Sequence, residues 1–126
     1  MAKANSRIFV VDDDKAVRDA LKFALELEGF CVHACAGGAE LFAHRELPNA
    51  ACIVVDRIMP DMDGFAVIEG LAALTNPAPV ILIVSELTPA VRGRAARAGV
   101  THILEKPLAG NSLPDIIHKA IREAHA

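Results

Sequence analysis

Short apolar runs alternate with longer amphipathic ones along the whole chain. Ile8–Val11 is a compact apolar run that stops at Asp12, Asp13 and Asp14. A run of that length, bounded by polar residues, reads as a buried strand. Lys15–Glu28 follows with helical spacing, in which Val17, Leu21, Ala24 and Leu25 make one apolar stripe and Gly29 supplies the stop. Phe30–Ala34 reads as a second strand. Gly37 and Gly38 open a short helix through about Arg45, and Pro48 lies in the loop beyond. Ala51–Val55 is a third strand, ending at Asp56, with Pro60 and Gly64 marking a loop. Phe65–Leu74 is helical, with Phe65, Ile68, Leu71 and Ala72 on one side. Asn76, Pro77 and Pro79 make a loop. Val80–Val84 is a fourth strand ending at Ser85. Thr88 and Pro89 are an N-cap and first helical position for a helix to Ala98, stopped by Gly99. Thr101–Leu104 is a fifth strand, followed by Glu105, Lys106 and Pro107. Ser112 and Asp115 resemble a capping box before a last helix with the stripe Leu113, Ile116, Ile117, Ala120, Ile121 and Ala124.

Five strands alternating with five helices predict an α/β fold: a doubly wound five-stranded parallel sheet with helices on both faces. The chain contains no internal repeat, low-complexity tract or linker, so residues 1–126 are expected to form one domain with no output domain.

Composition narrows the class. Hydrophobic residues are 53% and charged residues 23% of the 126, which suits a soluble globular chain. The absence of Trp and Tyr leaves the core to aliphatic residues and five Phe. A net charge of −3 argues against a general grip on nucleic acid. No apolar run approaches the roughly 20 residues of a membrane span, and the polar start lacks a signal-peptide core. These features, with three cysteines in no framework spacing, point to the cytoplasm. Cys31, His33 and Cys35 alternate onto one strand face, where ordinary packing outweighs a metal site lacking a fourth ligand.

The chemistry gathers at the strand ends. Asp12 and Asp13, Asp56, Ser85 and Lys106 follow four different strands, and in a doubly wound sheet those ends share one rim. Clustered carboxylates repel one another unless a cation joins them, and Mg²⁺ is held by one or two carboxylates plus water and phosphate oxygens. A lysine and a hydroxyl beside that ion make a phosphoryl receptor, with one carboxylate free to act as nucleophile.

At these residues the sequence resembles a known family, the receiver domain of bacterial two-component response regulators. The matching pieces are Val-Val-Asp-Asp-Asp at 10–14, Val-Val-Asp-Arg-Ile-Met-Pro-Asp-Met-Asp-Gly at 54–64, Ile-Val-Ser at 83–85 and Glu-Lys-Pro at 105–107. The resemblance runs from Arg7 to about Ala124. It implies a flavodoxin-like sheet of strand order 2-1-3-4-5 and a phosphoacceptor role for Asp56. Asp13 would bind Mg²⁺ directly, Asp12 through water, and Asp56 and the backbone carbonyl of Arg57 would complete the set. Ser85 would hydrogen-bond the phosphoryl group and Lys106 would pair with it. The Lys106–Pro107 bond would be cis. Asp14 reads as a helix cap, and Asp61 and Asp63 as loop residues. The implied donor is a histidine kinase or histidine phosphotransfer protein. The downstream target is unspecified, and a homodimer through the fourth helix, fifth strand and fifth helix is a further possibility of the family. No direct nucleic-acid or membrane binding is expected.

Two positions depart from the family pattern. Glu86 stands where a small residue is usual, and Ile103 where an aromatic ring usually serves the switch. They support a rival reading as a phosphate-independent pseudo-receiver. An aspartate-nucleophile phosphatase would want a second acid two residues after Asp56, where this chain has Ile58. Of Arg92, Arg94 and Arg97, the last two share a helix side, which reads as a solvated face.

Overall fold

Successive side chains of a strand point to opposite faces of its sheet, and here both faces are apolar. Phe9, Val11, Ile53, Val55, Leu82 and Val84 enter one core cluster, while Ile8, Val10, Cys52, Val54, Ile81 and Ile83 enter another. The computed structural model describes residues 6–74, 77–106 and 112–124. Its strands are β1 (Arg7–Val11), β2 (Cys31–Cys35), β3 (Ala50–Asp56), β4 (Val80–Val84) and β5 (His102–Glu105). Its helices are α1 (Lys15–Leu27), α2 (Gly38–Ala43), α3 (Gly64–Ala72), α4 (Pro89–Ala98) and α5 (Ser112–Ala124). All strand pairs are parallel, in the order β2-β1-β3-β4-β5.

The helices divide between the two faces. α1 contributes Leu25, and α5 contributes Leu113, Ile117 and Ala120, to the cluster built on Ile8 and Val54. Leu41 of α2, Phe65 and Ile68 of α3, and Ala95 of α4 cover the other side. Local chemistry sets the helix ends. Asp14 caps α1 by accepting from the N–H groups of Ala16 and Val17, and Asp63 caps α3 through Phe65 and Ala66. Thr88 caps α4 through Val91 N–H, Pro89 occupies the first turn, and Gly99 closes the helix at φ +87°.

The differences from the sequence reading are local. Ala24 and Ala124 are exposed: Ala24 lies about 100° round the helix from the buried Leu25, and Ala124 is the last residue of α5. α3 begins one residue earlier than expected, at Gly64, and ends at Ala72; Val67 is buried and the terminal Ala72 exposed. α2 stops at Ala43, and a 3₁₀ turn not foreseen, Leu47–Asn49, buries Leu47 and holds Pro48. β2 and β5 each sit one residue later than expected. The capping side chain of Ser112 and the Lys106–Pro107 bond lie outside the described residues.

Cys31 is exposed and Cys35 buried, with His33 between them packed 4.9 Å from the Phe9 ring and 4.7 Å from His44. Burial pushes the Cys35 and Cys52 thiols up to about 12, which leaves them protonated and unreactive.

Candidate functional site

β1 and β3 are central neighbours whose following connections leave on opposite faces, and the crevice beyond their carboxyl ends is where this architecture binds ligands. The chain puts carboxylates there. Asp12 and Asp56 are 3% and 6% exposed, the only buried polar or charged residues among those described. Asp13, exposed, joins them, and one oxygen from each of the three lies within 4.8 Å of the other two. Burial raises the Asp12 carboxyl above its ordinary value, the Asp14 N–H bonded to its Oδ1 at 2.9 Å partly offsets this, and the Asp56 charge adds to the rise.

Lys106 comes from the end of β5. Its backbone N–H donates to Val84 O at 2.8 Å, and its Nζ lies 2.9 Å from Asp56 Oδ1. That hydrogen bond, more than the surrounding carboxylate charge, holds the ammonium above its ordinary value. The amine occupies Asp56 Oδ1 and leaves Oδ2 without a protein partner among the described residues. Three carboxylates against one ammonium leave a surplus of two negative charges, which is the charge of one divalent cation.

The loop after β3 is held close by Gly64. Its N–H donates to Arg57 O at 2.7 Å, and a Cβ placed on it would lie 2.6 Å from Asp56 O and 2.7 Å from Arg57 Cα. Only glycine allows that approach. The Arg57 carbonyl is thereby tied to the start of α3.

These groups line an open cavity of about 290 Å³, with Asp12, Asp13, Asp56, Ser85, Lys106 and Ile58 on its wall. All the side chains singled out at the strand ends therefore meet. Asp61 and Asp63 do not join them: Asp61 accepts from Ala39 N–H and Asp63 caps α3. Glu86 is exposed and does not line the cavity. Ile103 is half-buried and packs against the core as an ordinary strand residue. Two larger cavities, about 500 and 390 Å³, lie at the other end of the sheet around Leu71, Pro77 and Ala78, and neither gathers carboxylates.

Two features of the rim escaped the sequence reading. Glu105 Oε2 accepts from Leu87 N–H at 3.0 Å, tying the β4–α4 loop to β5. The guanidinium carbons of Arg94 and Arg57 lie 4.2 and 5.8 Å from the centroid of the Phe65 ring. Both depend on contacts between elements distant in sequence, for which residue spacing carries no signal.

The sequence model of the response regulator receiver domain matches residues 8–118. The chain belongs to that family. It is 34% identical over 124 residues to the transcriptional regulatory protein FixJ of Bradyrhizobium diazoefficiens, covering 93% of this chain and 57% of that protein. It is 31% identical over 113 residues to the C4-dicarboxylate transport transcriptional regulatory protein DctD of Rhizobium meliloti, covering 90% of this chain and 25% of that one. A CheY-like receiver domain from Methanospirillum hungatei superposes with a TM-score of 0.86 at 27% identity, over 95% of this chain and 96% of its own. The receiver spans only part of these curated relatives. Its strand order is the one the family resemblance implied, and the phosphoacceptor reading is favoured over the pseudo-receiver and phosphatase readings. Among the described residues no helix is long and apolar enough to cross a membrane.

Proposed function

We propose that this receiver accepts a phosphoryl group on Asp56 from a histidine kinase or histidine phosphotransfer protein. The observation that carries the reading is the Lys106–Asp56 contact of 2.9 Å inside a cavity shared with Asp12 and Asp13. Asp56 Oδ2 is the nucleophile. Its bond to phosphorus forms as the donor's phosphorus–nitrogen bond breaks, with the electron pair returning to the imidazole. Lys106 offsets the charge that gathers on the transferring group, and the Ser85 hydroxyl donates to one of its oxygens.

Asp12, Asp13, Asp56 and the Arg57 carbonyl are the residues that would hold Mg²⁺, whose chemistry is to neutralise the phosphoryl oxygens. The buried acidic pair and the surplus negative charge suit a hard divalent ion. The chain acts as a signalling protein that catalyses only its own phosphorylation and dephosphorylation. Its two states must differ in affinity for a downstream protein, since a partner binding both equally would be switched by neither. A cytoplasmic setting suits a receiver of this family, and the absence of direct nucleic-acid binding fits the net charge of −3. Incubation with Mg²⁺ and a small acyl phosphate should add one phosphate to the intact mass. Asp56→Asn should abolish the increase, and its persistence in that variant would defeat the assignment.

A further inference from the structure

Arg57 is a cation without a counter-ion among the described residues. Among the described residues its side chain makes no hydrogen bond or ion pair, and its Nε is buried without a partner. Its one charge-related contact among them is the Phe65 ring at 5.8 Å, close to the 6 Å outer limit of cation–π attraction, whereas Arg94 sits at 4.2 Å. The ring therefore holds Arg94 well and Arg57 weakly, and the two like charges repel. Glu86 is the opposite case, an exposed carboxylate with no hydrogen bond or ion pair among the described residues.

Arg57 lines the cavity, and Glu86 lies next in the chain to a residue that does. Arg57 follows Asp56, and Glu86 follows Ser85. β3 and β4 are paired with Asp56 level with Ile83, and Arg57 N–H donates to Ile83 O at 2.9 Å. Arg57 is thus level with Val84. Glu86 stands two residues further on the neighbouring strand's loop, about 5 Å across and at most about 7 Å along. That gap is within reach of an arginine and a glutamate side chain when the loop closes.

We propose that phosphorylation of Asp56 assembles an Arg57–Glu86 ion pair that fastens the β4–α4 loop in its phosphorylated position. The inference rests on the phosphoacceptor reading. The phosphoryl oxygens draw in the Ser85 hydroxyl, and Glu86, joined to Ser85 by one peptide, moves with it. Before phosphorylation the loop is held from the other side, by the Leu87 N–H bonded to Glu105. Ile103 packs against the same core and offers the loop no polar group. Arg57 acts here as a positioning residue, through Glu86, and does not touch the phosphoryl group.

The test is backbone hydrogen exchange over residues 85–92 of the full chain, with and without Mg²⁺ and beryllium fluoride, a mimic of the acyl phosphate. It is run on wild type, Glu86→Gln, Arg57→Gln and their double variant, with Arg94→Gln alone and combined with Glu86→Gln, and the charge reversal, as controls. Each single replacement should lose about two- to fivefold of the protection that beryllium fluoride confers. The double should lose no more than either single, and the coupling should vanish at high salt. The reversal Arg57→Glu with Glu86→Arg should restore protection. Independent losses, coupling already present without beryllium fluoride, or coupling of Glu86 to Arg94→Gln in place of Arg57 would each overturn the ion pair. A wild-type chain that takes up no phosphate overturns the phosphoacceptor reading as well, which the intact mass detects separately.

Discussion

Lys106 Nζ and Asp56 Oδ1 are 2.9 Å apart, with the carboxylate side chain 7% and the lysine side chain 40% exposed. Removing the cation leaves a buried charge beside two other carboxylates. Lys106→Met should destabilise the fold by about 1 kcal/mol at neutral pH, a figure kept small because water reaches the ammonium. The folded-state pKa of Lys106 is raised, so its contribution is complete below the ordinary lysine value and is lost as pH rises through the folded one. Urea denaturation should show the difference between wild type and variant shrinking at strongly alkaline pH.

Asp12 carries the opposite implication. Its folded-state pKa is also raised, here by burial, so its contribution is present below the ordinary carboxylate range and is lost as pH rises through the folded value. At neutral pH the ionised group costs stability. Without divalent cation, Asp12→Asn should raise the melting temperature by a few degrees, on the order of 1 kcal/mol, and the advantage should fade in acid. Adding Mg²⁺ should reverse the order, because an ion that binds only the folded wild type stabilises it by about 2.7 kcal/mol at a hundred times its Kd.

Gly64→Ala tests the close approach beneath the acidic cavity. A Cβ 2.6 Å from Asp56 O forces the loop away. The expected outcome is a loss of about 2 kcal/mol or more in denaturant unfolding, with weaker Mg²⁺ affinity because the Arg57 carbonyl moves too.

Much of this was legible in the residues themselves. The apolar runs fixed the strands because a strand buried on both faces tolerates no polar residue, and the carboxylates that end β1 and β3 stood out against those runs. Asp14, Thr88 and Gly99 announced their caps through chemistry confined to one turn. Ala24 and Ala72 misled because periodicity marks an apolar arc without saying how much of it the sheet can cover. The 3₁₀ turn at Leu47 carries too short a pattern to read. The side-chain contacts of Arg57 and Glu105 went unread because their partners, Phe65 and Leu87, are neighbours only after folding.

Ile58 and Leu87 stand two positions beyond Asp56 and Ser85, and the structure gives them different surroundings. Ile58 is 64% exposed on the cavity wall, while Leu87 is half-buried against the core and does not line the cavity. Ile58→Asn should therefore speed loss of phosphate several-fold by orienting a water, whereas Leu87→Asn should act mainly on stability. Decay of the phosphate label in each variant, set beside its unfolding curve, distinguishes the two.

The central claim is that Asp56, and neither Asp12 nor Asp13, carries the phosphoryl group. Borohydride reduces an aspartyl phosphate to homoserine and leaves free carboxylates untouched. The chain is incubated with Mg²⁺ and acetyl phosphate, reduced, digested and sequenced by mass spectrometry. Homoserine at position 56 alone is the result expected. Homoserine at position 12 or 13, or an unmodified position 56 in a chain that has gained a phosphate, would contradict the account.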